Sequence, residues 1–304
     1  MERRSVKPRR SVLFMPGSND RAMEKSKSLP ADCLVMDLED AVAPDRKAET
    51  LDLVCAKVRA GDYGSRELIV RVNGRDTEWY EAEVAAVATS GADGLLLPKV
   101  ESAEDVIDAD KRLAEAGAPE DMGIWCMMET PFGILRAEEI LAASPRIKVI
   151  LIGLADLSKN LRCVHTSTRE PFIWAMQYCV MAARAHGIDV IDGIHPDIED
   201  DEGFAHSARH GKDLGFDGKT IIHPRTLEMA NNIFSPSKQE VEWSKRIIKA
   251  FEEAVAQGHG LTSVDGRIVE NLHVDRARQI LDMVDQIEKL TPGSSENEFG
   301  SLSV

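Results

Sequence analysis

The chain has 304 residues, 43% hydrophobic and 29% charged, with a formal net charge of −15 at pH 7. That content suffices for one large core or two small ones, and the acidic balance argues against a nucleic-acid or anionic-membrane surface. No apolar run approaches the ~18 residues a membrane span needs, and the opening MERRSVKPRR lacks the apolar stretch of a secretory signal, so a soluble, cytoplasmic protein is expected.

In chain order, eight short apolar runs stand between turn residues. They are SVLFMPG from Ser11, CLVMDLE from Cys33, LIVRVNG from Leu68, GLLLPKV from Gly94, IWCMMET from Ile124, VILIGLAD from Val149, DVIDGIHP from Asp189 and KTIIHP from Lys219. They are too short for helices, and several are apolar throughout, as strands buried on both faces are. Helical patterns lie between them, over Asp76–Gly91, Ser102–Gly117 and Arg169–Gly187. In the second, Ser102 and Asp105 make a capping-box pattern and Gly117 a stop. Strand-plus-helix units of about 30 residues, eight times over, predict a (β/α)8 TIM barrel. The competing doubly wound sheet would carry GxGxxG after the first strand; PGSND stands there instead.

The barrel is expected to occupy residues 1–235. A C-terminal helical extension over 236–290 follows, with one helix over Pro236–Ala256, a glycine-punctuated arm and a second helix from about Val274. The polar residues 291–304 are expected to be a disordered tail. Cys33, Cys55, Cys126, Cys163 and Cys179 form no CxxC pair and are expected to be free thiols of a reducing compartment. Cys163, after a polar turn, is the one to check for reactivity.

Chemistry in such barrels sits at the carboxyl ends of the strands, and here those ends are polar. They supply Asp37, Glu39 and Asp40, then Arg71 and Asn73, Lys99, Glu129, Asp156, Asp192 with His195, and His223. Taken singly, Asp156 reads as a helix cap, Glu129 as a turn residue and Arg71 as a structural partner of Asp37 or Glu39. Gathered at one mouth, carboxylates and an arginine cost too much desolvation unless they bind something. Glu129 and Asp156, from adjacent strands, suit a hard divalent cation such as Mg2+. No histidine spacing suggests zinc.

The segments RRSVLFMPGSNDRAMEKS, DCLVMDLEDAVAPDRK, LIVRVNG, LLLPKVES, METPFGIL, GLADLSKNL, DVIDGIHPDIEDDEGF and LGFDGKTIIHPRTLEMAN together resemble the citrate lyase β-subunit-like proteins of the HpcH/HpaI aldolase superfamily. Malyl-CoA and citramalyl-CoA lyases belong to that group. The resemblance covers roughly residues 8 to 290. It implies reversible cleavage of a 3-hydroxyacyl-CoA to acetyl-CoA, or another short acyl-CoA, and a 2-oxo acid, glyoxylate or pyruvate. It further implies Mg2+, or Mn2+ in its place, on Glu129 and Asp156. Arg71 would hold the keto acid, with Asp37 and Glu39 beside it as catalytic candidates. Arg10, Phe14, Lys25 and the Ile222-His223-Pro224 turn would belong to the CoA site. Asp265, in SVDGRIVE, would enter a neighbouring subunit's mouth, which implies a homotrimer or a hexamer of two trimers. Without the resemblance, Asp265 reads as an exposed Asp-Gly turn. Where many relatives have Glu or Asn before the aspartate of GLADLSKNL, this chain has Ala155. Other readings are a CoA-independent 2-oxo acid aldolase, a malyl-CoA thioesterase or malate synthase-like enzyme, and a non-catalytic barrel that binds CoA esters.

Overall fold

A computed structural model describes residues 7–290; the tail expected over 291–304 lies outside them. Eight parallel strands close on themselves in sequence order. They are β1 (Ser11–Pro16), β2 (Cys33–Asp37), β3 (Glu67–Arg71), β4 (Gly94–Leu97), β5 (Gly123–Met128), β6 (Ile147–Ile152), β7 (Asp189–Asp192) and β8 (Gly218–Ile221). Because β1 pairs with both β2 and β8, the sheet has no edge, and the doubly wound alternative is excluded. Helices flank each connection, as the intervening periodic segments predict. Among the described residues no helix is long and apolar enough to cross a membrane.

Residues 9–234 form one compact unit and residues 235–290 lie in another. In the second unit, helix Lys238–Ala256 starts at a Ser237/Glu240 capping box, and helix Asn271–Leu290 is the last element among the described residues. Between them β9 (Thr262–Val264) and β10 (Arg267–Val269) make a hairpin. Ile247, Phe251, Val269, Val274 and Ala277 are its packed centre.

Successive residues of a strand face opposite ways, and in this barrel that alternation sorts the side chains into two cores. Leu34, Met36, Val70, Leu95, Ile150 and Val190 pack outward under the helices. Val12, Phe14, Cys33, Val35, Ile69, Leu96, Trp125, Met127, Val149, Leu151 and Ile191 fill the interior. One step further along the inward series come Asp37, Arg71, Glu129 and Gly153. One step back come Glu67 and Asp189. There Arg9 seals the barrel's amino end: Nε and Nη2 donate to Glu67 at 2.7 and 2.9 Å, and Nη1 donates to Asp189. Its guanidinium lies 5.4 Å from the centre of the Trp125 ring.

Asp192 is one residue out of step with the inward series, so it points away from the mouth where the sequence places it. Its carboxylate is buried against helix Asp201–Leu214, where a Cβ on Gly211 would come within 2.5 Å of Oδ2. Arg169 Nη1 donates to both oxygens at 2.7 Å, and Lys219 Nζ donates to Oδ2 at 2.8 Å. Burial pushes the Asp192 carboxyl up, and Lys219 and Arg169 more than reverse this, so it titrates below the ordinary carboxylate range. Asn73 likewise serves the fold. Its Nδ2 donates to Leu38 O at 3.0 Å and to Glu83 Oε1 at 2.6 Å.

Replacing Asp192 by Asn leaves two buried cations short of their counter-charge and should cost about 3–5 kcal/mol at pH 7, read from urea unfolding. A carboxyl held low in the fold stabilises fully above its unfolded value of about 3.9 and ceases to as pH falls through the lower folded value. The gap between wild type and Asp192→Asn should therefore hold from pH 7 down to about 4 and narrow below it.

Candidate active site

The mouth is built from the ends of β2, β3, β4 and β5 and the turn after β6. Arg71 is its centre. Nε and Nη2 donate to the two oxygens of Asp37 at 2.7 and 2.6 Å, the planar fork that fits a carboxylate best. Nη1 lies 2.8 Å from Glu39 Oε2 in an ion pair outside hydrogen-bond alignment. The guanidinium rests over Phe14, 5.4 Å from the ring centre, so Phe14 forms the floor of the mouth. The segment after β2 is fixed from several sides. Asp37 Oδ1 accepts from Glu39 N at 2.8 Å, and Lys47 Nζ donates to the carbonyls of Leu38 and Glu39 at 2.7 and 2.6 Å. Lys99 Nζ donates to Glu39 Oε1 from the end of β4.

Glu129 follows β5 and is 2% exposed. Thr130 and Pro131 turn the chain at once into helix Pro131–Leu135, Thr130 capping it by accepting from Gly133 N at 3.1 Å. Glu129 Oε1 accepts from Lys99 N at 2.9 Å. The rest of the carboxylate lies against Gly153, where a Cβ would come 2.3 Å from Oε2. Asp156 is the third residue of helix Leu154–Leu161; Gly153 occupies the cap position, so Asp156 is not the cap. Burial pushes the Glu129 carboxyl up to about 7, with Asp156 and Glu39 adding to the rise and the Lys99 amide and Arg71 opposing it.

That surplus of negative charge beside a buried carboxylate is what a bound cation relieves. Among the described residues no group of three or more His, Cys, Asp or Glu could hold a metal. A two-carboxylate site fits a hard cation that fills its shell with water and ligand oxygens, rather than one needing a full protein cage. Glu129 and Asp156 fit such an ion.

The other predicted residues are scattered. Arg10 stands just before β1, at the opposite end of the barrel from the mouth, with its Nε and Nη2 bonded to Asp32 at 2.8 Å. Lys25 is exposed on helix Asp20–Ser26, which follows β1. Ile222 and His223 line a small pocket with His195, Phe204 and Thr226. His223 Nδ1 accepts from Arg225 N at 3.3 Å and so caps the short turn beginning at Pro224. Asp265 lies in the second unit, at the tip of the β9–β10 hairpin. It and Gly266 have φ of 51° and 75°, as a two-residue Asp-Gly turn requires. Its carboxylate pairs with Arg246 at 2.6 Å. Cys33, Cys55, Cys126 and Cys179 are buried free thiols and Cys163 a half-buried one.

Two contributors went unassigned in the sequence. Gly153 was readable from its place, two residues beyond Leu151 in the inward series. Lys99 stood out only as a charged strand end.

Residues 10–224 match the family model described as HpcH/HpaI aldolase/citrate lyase. The chain belongs to this family. The (3S)-malyl-CoA thioesterase of Cereibacter sphaeroides is 48% identical over 90% of this chain and 94% of its own. The citrate lyase subunit beta of Escherichia coli is 37% identical over 92% and 95%. A solved structure of CitE from Mycobacterium tuberculosis, in complex with magnesium, acetoacetate and coenzyme A, superposes with a TM-score of 0.72. It is 25% identical, covering 90% of this chain and 97% of that one. Within this HpcH/HpaI-family barrel, Arg71, Asp37, Glu39, Glu129 and Asp156 come together, whereas Arg10 does not join them.

Gly153→Ala should displace the Glu129 carboxylate. We expect Mg2+ to raise the melting temperature of the wild type and to raise that of Gly153→Ala far less. The variant itself should lose about 1–3 kcal/mol from the overpacked contact. An unaltered Mg2+ response would show that the cradle does not set the carboxylate.

Proposed function

We propose that the protein is a Mg2+-dependent CoA-ester lyase. Its substrate is a 3-hydroxyacyl-CoA such as malyl-CoA or citramalyl-CoA, cleaved reversibly to acetyl-CoA, or another short acyl-CoA, and glyoxylate or pyruvate. The observation that carries this reading is one mouth holding a buried carboxylate near a second carboxylate and a fixed guanidinium. Malyl-CoA, the compound named for one relative, agrees with it as a substrate, and the citrate lyase names of the family and of a second relative agree with C–C cleavage.

Cleavage breaks the bond between the carbinol carbon and the carbon beside the thioester. The hydroxyl loses its proton, its C–O bond becomes the keto acid's C=O, and the electron pair passes into the thioester as an enolate. Held by Glu129 and Asp156, with Mn2+ serving in its place, Mg2+ would supply positive charge at the oxygens of the keto acid. Arg71 adds a second, immobile positive charge there, kept in place by Asp37 and Glu39. Asp265 of a second copy would give a proton to the enolate carbon, the hydroxyl's own proton leaving to water; in the condensation direction it would take one from that carbon. This requires a homo-oligomer, for which we propose a trimer or a hexamer of two trimers, in the cytoplasm. Phe14, Lys25 and the Ile222-His223-Pro224 turn are the candidates for CoA contacts.

A second reading, hydrolysis of the thioester, is favoured by the relative named for (3S)-malyl-CoA hydrolysis at 48% identity. The products separate the two. Incubation of malyl-, methylmalyl- and citramalyl-CoA with Mg2+ should release glyoxylate or pyruvate without free thiol if the protein is a lyase. Free thiol with a hydroxy acid and no keto acid would identify a thioesterase. Glu129→Gln should abolish turnover, and Asp265→Ala should lower it by about 10²- to 10⁴-fold while leaving Mg2+ and keto-acid binding intact. Wild-type turnover by Asp265→Ala would remove that residue from the mechanism. No thermal shift with CoA would favour a CoA-independent aldolase.

A further inference from the structure

Lys99 has two unusual properties at once. Its backbone is left-handed, with φ of 48°, a conformation that side-chain-bearing residues adopt at a cost and that persists only where the surroundings impose it. The surroundings do so on both sides. Pro98 precedes it, and the Val100 carbonyl is packed against Gly133, where a Cβ would come within 2.3 Å. Beyond Val100, Arg136 Nη1 donates to Glu101 O at 3.2 Å, and Asp105 Oδ2 accepts from the amides of Glu101 and Ser102 at 3.0 Å. The loop is therefore clamped between β4 and the turn after β5.

The strained conformation delivers the Lys99 amide to Glu129 Oε1 at 2.9 Å. The same residue sends its ammonium across the mouth to Glu39, the carboxylate that also pairs with Arg71. One residue of β4's end thus touches groups presented by β2 and β5, and through Glu39 it reaches β3.

We infer that Lys99 is a positioning residue for this site: its left-handed amide aims the Glu129 carboxylate, and its ammonium holds Glu39 against Arg71. The inference rests on the reading of Glu129 as a Mg2+ ligand. Its two halves make different demands on the side chain. The amide needs a residue that tolerates positive φ, whatever its charge. The ammonium needs a cation.

A substitution series at position 99 separates them, with Mg2+ titrated calorimetrically into the full-length protein without substrate, and turnover measured separately. Lys99→Gly and Lys99→Asn, which accept positive φ, should bind Mg2+ within about threefold of wild type. Lys99→Val, whose β-branched side chain opposes that conformation, should bind about 10- to 100-fold more weakly, as loss of a partner behind a metal ligand does. Lys99→Thr makes the same test if the valine variant fails to fold. Lys99→Met, uncharged but with an unbranched side chain, should keep Mg2+ binding and lose turnover by about tenfold or more. Wild-type Mg2+ affinity in both β-branched variants would overturn the amide's role, and full turnover in Lys99→Met would overturn the ammonium's. The wild-type titration is read first: a wild type that binds no Mg2+ would overturn the metal assignment itself, a result distinct from either failure at Lys99.

Discussion

The constraint on which this molecule depends is the two-residue period of a strand inside a closed barrel. Every inward position belongs to a space with no second exit for charge, so each must be apolar, paired or put to use. Through the middle of the barrel the answer is apolar, from Val12 to Ile191. At the amino end it is pairing, with Arg9 set between Glu67 and Asp189. At the carboxyl end, Asp37 and Arg71 satisfy each other, whereas Glu129 accepts one backbone amide and faces the surplus charge of Asp156. The site is where the barrel's own pairing is left incomplete.

Seen this way, the two arginines of the interior are opposites. Arg9 is enclosed by two carboxylates and an indole ring at the closed end. Arg71 has the same company in kind, two carboxylates and a ring, but lies at the open end, where a ligand's oxygens can compete for its charge. Arginine's flat, always-charged fork allows both arrangements.

Much of this was legible in the chain. The eight strands follow from short apolar runs between turns, and the nearness of Glu129 to Asp156 follows from their being on consecutive strand ends. Asp192 shows what was not legible. Its strand was readable, but DVID carries an acid at both ends, and only the neighbouring strands' register tells which one faces inward. Arg10 stands apart from the mouth for a simpler reason: a charge beside a strand start lies a whole strand length from one beside its end. The turn of Lys99 into left-handed backbone has no signal in its own residue type, because its cause lies in Gly133 and Asp105, more than five residues away. The Asp-Gly hairpin tip at Asp265 is the reverse case, since those two residues alone dictate the turn.

The filled interior has a consequence for access. Side chains pack the barrel from Val12 to Ile191 and Arg9 closes its amino end, so no path runs through it. Anything that reaches Phe14 arrives past the rim and departs the same way.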